Sequence, residues 1–455
     1  VSPSRMEEAA FARVHLADLP MVGRALEAGS AQHQRLRDIT PRTRVELISQ
    51  VLARLEEMTD DLARAGTAEG RTRKGMEWEM ERIRAFCAPD VLEDMAAAIV
   101  KRRWDDGTRM FMEGLGTVAV MLPCLGGLSR SMLSLSASVM TGNFTFLAAP
   151  IDVPVTSMMA LRAADEVMRE RGVQALSAVV PDDASHLLGI IAESPRVDGL
   201  VMFEEGETSL NAAAQATSLG KAVVGAWETT DVAIVWDGVD IPAAAKEIVA
   251  SRFTDSGRLP SSIGKVLVQQ DVRDELMSAL EGELHSLHVG LPSDPTTDVG
   301  PVVSLAALEH IQELVREAQE LGARAVHGGE RINWRSEADP VGMYFQPTLM
   351  EDCDPGMRIT NERLVGPVLP VCSVRDADEA RAISCQPRRP GRVWIWATAR
   401  ADRDRLVERL RAPGVVFFGR RPGGTVRAMD LADAWGALEL AQRLSYKSWR
   451  GPVGQ

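Results

Sequence analysis

Short apolar runs alternate with amphipathic stretches along most of the chain. From Thr117 the pattern is regular. TVAVML and FTFLAAP read as strands, residues 156–171 as a helix, ALSAVVP as a strand, ASHLLGIIAE as a helix and VDGLVMF as a strand. A helix over 211–218 then leads into KAVVGAW. After Thr230 the alternation resumes with VAIVW, the helix IPAAAKEIVASRF, the strand KVLVQQ and the helix VRDELMSALEGEL. The turn-rich GLPSDPTTDVGP precedes a long helix through SLAALEHIQELVREAQELG. YFQPTLM, VLPVCSV, RVWIWAT and GVVFFG supply the later strands. Strands alternating with helices in this way predict parallel α/β architecture, here in two lobes that meet near residues 225–230.

The region before Thr117 has a different texture. Thr40-Pro41 reads as a helix start, and Val45, Leu47, Ile48, Val51, Leu52 and Leu55 follow at helical spacing through to about residue 65. A second helix is expected from Met76 to about Lys101. The first forty residues show no clear period.

Composition narrows the class. The chain has 455 residues, 45% of them hydrophobic and 25% charged, which describes a protein with a sizeable core and excludes disorder, collagen-like structure and a disulfide scaffold. Acids outnumber bases by 64 to 51, a formal net charge of −13, so no nucleic-acid partner is expected. Cys87, Cys124, Cys353, Cys372 and Cys385 are scattered without a C-x-x-C pair, which fits reduced thiols in the cytoplasm. No secretion signal is read in the opening residues, and no run approaches 18 uncharged apolar residues, so no membrane span is expected either.

Bare chemical motifs are few. The histidines at 15, 33, 186, 285, 288, 310 and 327 form no H-E-x-x-H or Cys/His set. His285 and His288 lie three apart, yet no nearby carboxylate or cysteine is read as completing a site, so no metal is expected. FEEGET at 203–208 reads as a solvated acidic loop. LGG at 125–127 follows a strand and begins a helix, where backbone N–H groups hold either a tight turn or an anion.

The order of segments resembles the aldehyde dehydrogenase superfamily across roughly residues 40–450. LHVGLPSDPTTDVGPVVS is similar to that family's G-x-P…G-P segment, and YFQPTLMEDCDPGMRITNERLVGPVLPV to its P-T…E-E-x-F-G-P-V-x-P-V block. GLGTVAVMLP, TGNFTFLAAP and FTDSGRLPSSIGKVLV stand in the corresponding order in the first half and middle. The resemblance implies two Rossmann-like parallel-sheet lobes plus a small oligomerisation element. It implies a cofactor-domain-like lobe over 1–225, interrupted near 96–114 by an oligomerisation hairpin. A catalytic-domain-like lobe over 226–430 and a C-terminal return and oligomerisation segment over 431–455 complete the set. SYKSWRGPVGQ, with Pro452, makes a poor edge strand.

Carried over residue by residue, the resemblance places unusual side chains at the positions of its chemistry. The asparagine of P-W-N-F-P, which holds the substrate oxygen, corresponds to Leu125, preceded by Cys124. The nucleophilic cysteine of G-Q-x-C corresponds to Pro260, which has neither a nucleophile nor a backbone N–H. The general-base glutamate of E-L-G-G-K corresponds to Ala226, with Glu228 two residues on. The K-P-S-E ribose contacts correspond to Ala148, Pro150 and Ile151; the second glutamate and the phenylalanine of E-E-x-F-G-P correspond to Arg363 and Val365. Cys124, Glu228 and Arg258 remain as candidate cleft residues, with Asp255 a competing partner for Arg258; Ser256, Ser261 and Ser262 share the former nucleophile loop.

These substitutions predict a catalytically degenerate relative that acts by binding a small-molecule ligand, or a pathway-enzyme or scaffold partner, with no cofactor expected. Two alternatives stay open: the same cleft reused for non-redox chemistry, and conventional NAD(P)-dependent aldehyde oxidation, for which NAD or NADP would be required. The resemblance also implies a homodimer, and the scattered thiols make the cytoplasm its expected location.

Overall fold

The computed structural model describes residues 11–103, 109–203, 206–225, 230–259, 262–386, 390–408, 410, 415–418 and 437–450. The chain divides into two compact units. One comprises Ala12–Ala65, Glu77–Trp227 and Arg427–Gln455; the other comprises Val1–Phe11, Gly66–Met76 and Glu228–Val426. The short segment 66–76, which the sequence pattern groups with the first lobe, therefore belongs with the second.

The first unit holds two sheets. β1 (Val100–Arg103) and β2 (Arg109–Gly114) pair antiparallel. β3 (Thr117–Met121), β4 (Phe144–Ala148), β5 (Leu176–Val179), β6 (Gly199–Met202) and β7 (Ala222–Gly225) form a five-stranded parallel sheet in the order β5-β4-β3-β6-β7. Sheet order reverses direction between β3 and β6, a topological switch point of the kind that leaves a crevice beyond the carboxyl ends of the strands.

The second unit holds β8 (Thr230–Val235), β9 (Ile263–Gln269), β10 (Arg324–His327), β11 (Arg331–Ile332), β12 (Tyr344–Phe345), β13 (Thr348–Glu351), β14 (Val368–Val374), β15 (Pro390–Trp396) and β16 (Val415–Phe418). Its main sheet runs β10-β13-β14-β9-β8-β15-β16, parallel except at the β10–β13 pair. β11 and β12 make a separate two-stranded ribbon. β17 (Ser445–Arg450) returns to the first unit and pairs with β2 over six residues. The expected hairpin at 96–114 is thus the start of a three-stranded sheet, and the C-terminal segment pairs better than its sequence promised; Pro452 lies outside the described residues.

Several elements break where one was expected. The helix predicted from residue 41 to about 65 is two, Pro41–Glu57 and Thr59–Ala68. The one predicted over 76–101 is Arg73–Phe86 followed by Pro89–Ile99, because Pro89 pre-sets the first turn of a new helix. YFQPTLM splits at Pro347 into β12 and β13, which serve different sheets. The unplaced N-terminal region contains a helix, Leu19–Asp38, opened by Asp18, whose carboxylate accepts from Met21 N at 2.8 Å. Side-chain caps of this kind recur at Thr40, Asp240 and Ser304, each worth ~1 kcal/mol to its helix.

Each unit buries an arginine whose guanidinium bonds mainly to main-chain carbonyls. In the first, Arg44 donates to Met140 O and Leu36 O, both at 2.9 Å, closing the ends of two helices; burial pulls its pKa down to about 10. In the second, Arg252 donates to Val368 O at 2.7 Å, Gly366 O at 2.6 Å and Leu364 O at 3.2 Å; burial brings it to about 9. Arg252 thus ties three carbonyls of the segment 364–368 to the helix Ile241–Phe253. A Cβ at Gly366 would collide with the Ile311 side chain, so the glycine of the G-P-V motif is retained for packing.

Candidate functional site

The segment preceding Pro260 is a buried turn of the second unit. The helix Ile241–Phe253 ends at Thr254, and Asp255, Ser256 and Gly257 then take left-handed φ of 52°, 60° and 70°. Two consecutive non-glycine residues there are strained, and persist only where surrounding bonds fix them. Those bonds are present. The Asp255 carboxylate pairs with Arg71 Nε and accepts from Thr72 N at 2.7 Å. Ser256 Oγ donates to Gly300 O at 2.9 Å, and Arg258 Nη1 donates to Gly70 O at 2.7 Å. A Cβ at Gly75 would strike the Asp255 carboxyl carbon, and one at Gly257 would strike Gly366 O.

This changes the assignment of two candidates. Arg258 is 1% exposed and bonded to main chain, so it is not presented as a ligand-binding fork. Asp255 pairs with Arg71, not with Arg258, because the segment 66–76 crosses directly over the turn. Ser262 Oγ lies 3.4 Å from Arg252 Nη1 as an acceptor, which leaves it a packing role. Ala226, Glu228, Pro260 and Ser261 lie outside the described residues.

In the first unit, Leu125 is buried and Cys124 half-buried at the carboxyl side of β3. Gly126, at φ 66°, caps the helix Gly127–Thr141 without a side chain. The anion expected of such a helix start is supplied internally: the buried Glu79 carboxylate accepts from Ser129 N at 2.7 Å. Negative charge there opposes the positive end of the helix dipole. The LGG turn is therefore closed by the protein's own carboxylate, a pairing separated by 50 residues that no local motif signals.

Above the switch point lies a crevice of about 160 Å³. The ends of β3, β4 and β6 contribute Met121, Ala148 and Met202; Leu122, Ala149, Pro150 and Leu188 extend the apolar wall, with Ser185, Thr208 and Ser209 at its polar points. Among the described residues that line it, none is charged. Ala148 is buried, whereas Ile151 is half exposed and stands outside the lining. Glu204 and Glu205 lie outside the described residues.

In the second unit, Arg363 and Val365 are half-buried. Glu362, beside them, is engaged by Arg358 Nε at 2.7 Å and by His310 Nε2 at 3.2 Å, a surface network that also includes Glu313 and Glu317. Cys87, Cys353 and Cys372 are buried, and burial pushes all three thiols up, Cys87 and Cys372 to about 12. Such groups stay protonated and unreactive near neutral pH.

One cluster carries no sequence motif of its own. His288 lies beyond the helix Arg273–His285, whereas Glu281, one turn before His285, lies beside it, and β10 brings His327 to the same place. The expectation that no carboxylate stands by His285 is corrected by Glu281, whose i,i+4 spacing from His285 puts both on one face of the helix.

No described helix is long and apolar enough to cross a membrane. The model of the aldehyde dehydrogenase family matches residues 1–426. A Staphylococcus aureus (strain USA300) protein named "Putative aldehyde dehydrogenase" is 24% identical over 439 residues, 94% of this chain and 90% of its own length. Among solved structures, the succinate-semialdehyde dehydrogenase from Burkholderia pseudomallei superposes with a TM-score of 0.83 at 18% identity, covering 95% of this chain and 89% of that one. An NADP-dependent enzyme of E. coli gives a TM-score of 0.86 at 19% identity, covering 99% and 93%. Two parallel-sheet units, their strand orders and a family match over nearly the whole sequence converge: the chain belongs to the aldehyde dehydrogenase family.

Proposed function

We propose that this protein is a family member that does not carry out thiol-dependent aldehyde oxidation and works by binding a small, uncharged ligand. The observation that carries this reading is the turn 254–258. It stands where the family resemblance puts the approach to the nucleophile, and its polar side chains are spent on the fold: Asp255 on Arg71 and Thr72, Ser256 on Gly300, Arg258 on Gly70. Two residues beyond the turn, the nucleophile position by that resemblance is Pro260, which has no thiol to form a thiohemiacetal and no N–H to stabilise an oxyanion.

The crevice above β3, β4 and β6 supports the same reading. A dinucleotide needs hydrogen-bonding partners for its ribose hydroxyls and compensation for its pyrophosphate. The described lining offers two serines, a threonine and otherwise apolar groups, in about 160 Å³. Ligand pockets more often enclose ~300–1,000 Å³. The residues present do not fit NAD or NADP, and they suit a compact neutral molecule. The same reading makes the chain a cytoplasmic homodimer through the sheet β1–β2–β17, to which a partner protein would be added in the scaffold version.

The names of the relatives favour conventional NAD(P)-dependent aldehyde oxidation as the competing reading. Calorimetric titration with NAD⁺ and NADP⁺, together with an aldehyde panel monitored for reduced nicotinamide, separates the two. No turnover above a protein-free control and no saturable binding at millimolar cofactor are expected, and Pro260→Cys alone should not create activity. Turnover by the unmodified protein would overturn the proposal. Native mass spectrometry reads the oligomeric state and any co-purified subunit of fixed stoichiometry.

A further inference from the structure

A group that neither the family resemblance nor the proposed function uses lies on the second unit, where the helix Arg273–His285 packs beside the edge strand β10. Glu281 and His285 are four apart on that helix and so share a face. Leu276, Met277, Leu280 and Leu284 bury the neighbouring face, which fixes the helix rotation. His327 is the last residue of β10. The register of β10 against β13 shifts between Ala325 and His327, a bulge of the kind that re-aims a side chain. Immediately after it, Gly328 and Gly329 turn with φ of 72° and 100°. A Cβ on Gly328 would collide with Pro347 O, and Gly329 N is held by Thr348 Oγ1 at 2.8 Å. The backbone presenting His327 is therefore fixed from both sides.

One donor atom from each of Glu281, His285 and His327 lies within 4.8 Å of the other two. The imidazoles meet edge to face, with centroids 4.8 Å apart and planes at 74°. His285 Nδ1 lies 2.7 Å from Glu281 O. A carbonyl has no proton to give, so Nδ1 is the donor and the lone pair of His285 resides on Nε2. A histidine that binds metal through one nitrogen typically anchors the other N–H on such an oxygen, which sets both tautomer and ring orientation.

We propose that Glu281, His285 and His327 form a binding site for a zinc-class divalent cation, held through Glu281 Oε, His285 Nε2 and a His327 ring nitrogen, with water completing the coordination. Two imidazoles and a carboxylate suit a borderline cation, and they disfavour Ca²⁺ and Mg²⁺, which prefer all-oxygen shells. Donors up to 4.8 Å apart must draw together onto one ion, and the exposure of His285 with the half-burial of the other two leaves their side chains room to do so. Bound there, the ion would staple the helix to the sheet edge. The site is independent of the proposed ligand function.

The test uses the full chain after chelator treatment and desalting, titrated with Zn²⁺ by calorimetry, with retained metal counted by elemental analysis. One zinc per chain is expected, with a rise in Tm as Zn²⁺ is added. His285→Ala and His327→Ala should each weaken binding by roughly 100-fold or more, given that losing an outer-shell partner alone costs 10–100-fold. His288→Ala should leave it unchanged. Far-UV circular dichroism confirms folding, and Glu281→Gln supplies an isosteric variant in case His327→Ala misfolds. In the Co²⁺ form, visible bands of a nitrogen–oxygen site without thiolate charge transfer are expected. Absence of binding, equal binding by the double His285→Ala/His327→Ala variant, or a thiolate charge-transfer band would each overturn the proposal.

Discussion

The turn 254–258 of the second unit and the crevice above the five-stranded sheet of the first have opposite characters. The turn is closed: an aspartate, a serine and an arginine, each at most 1% exposed, bond to main chain or to Arg71. The crevice is open, but its described lining has no charge. Polar groups in the first are structural because they have been desolvated and must be paired. The second has only serine and threonine hydroxyls as polar side chains among its described lining residues.

The sharpest way to break that contrast is Asp255→Ala. If the turn is structural, deletion removes the carboxylate that pairs with the buried Arg71 and accepts from Thr72 N, and costs about 3–5 kcal/mol, seen as a large fall in Tm or denaturant midpoint. A variant as stable as wild type would mean that the turn is not locked. Next in size is Glu79→Ala, which removes the carboxylate at Ser129 N; a loss of about 1–2 kcal/mol is expected. Part of it should return with added sulfate, which can occupy the vacated helix start, and thermal melts with and without sulfate read this directly.

Thiol labelling sharpens the contrast from the side of reactivity. With pKa values of about 12, Cys87 and Cys372 hold only ~1 part in 10⁴ as thiolate at pH 8, so native protein should react at Cys124 and Cys385 alone. Raising the folded pKa of an acid makes the folded state the better proton binder. Stability should therefore decline as pH rises above the ordinary thiol range and on toward 12, and urea titrations at pH 8, 9 and 10 measure that slope. The smallest effect belongs to Arg358→Ala. Its partners Glu313, Glu317 and Glu362 are solvent-exposed or half-exposed, and the change in Tm should be barely detectable.

Much of the architecture was legible from periodicity. ASHLLGIIAE, IPAAAKEIVASRF and VLPVCSV form elements with those bounds, because each carries its own pattern and punctuation. YFQPTLM misled because a proline inside an apolar run decides which sheet each half joins, and that depends on distant strands. In the candidate site, the residue types were readable and their engagements were not. Arg258 has the residue type of an anion fork but places Nη1 on Gly70 O, and the neighbour of His285 in space is Glu281, one turn earlier.

The sequence by itself determined the alternation of strands and helices, the family resemblance and the presence of Pro260 where that resemblance expects a thiol, since these follow from local pattern and residue identity. Only the tertiary structure decided that Arg71 meets Asp255, that Glu79 fills the start of the helix Gly127–Thr141, and that His327 reaches Glu281 and His285. Those pairs span 184, 50 and more than 40 residues. Coulombic and hydrogen-bond energies depend on separation in space, and the chain fixes that separation only after its cores have packed.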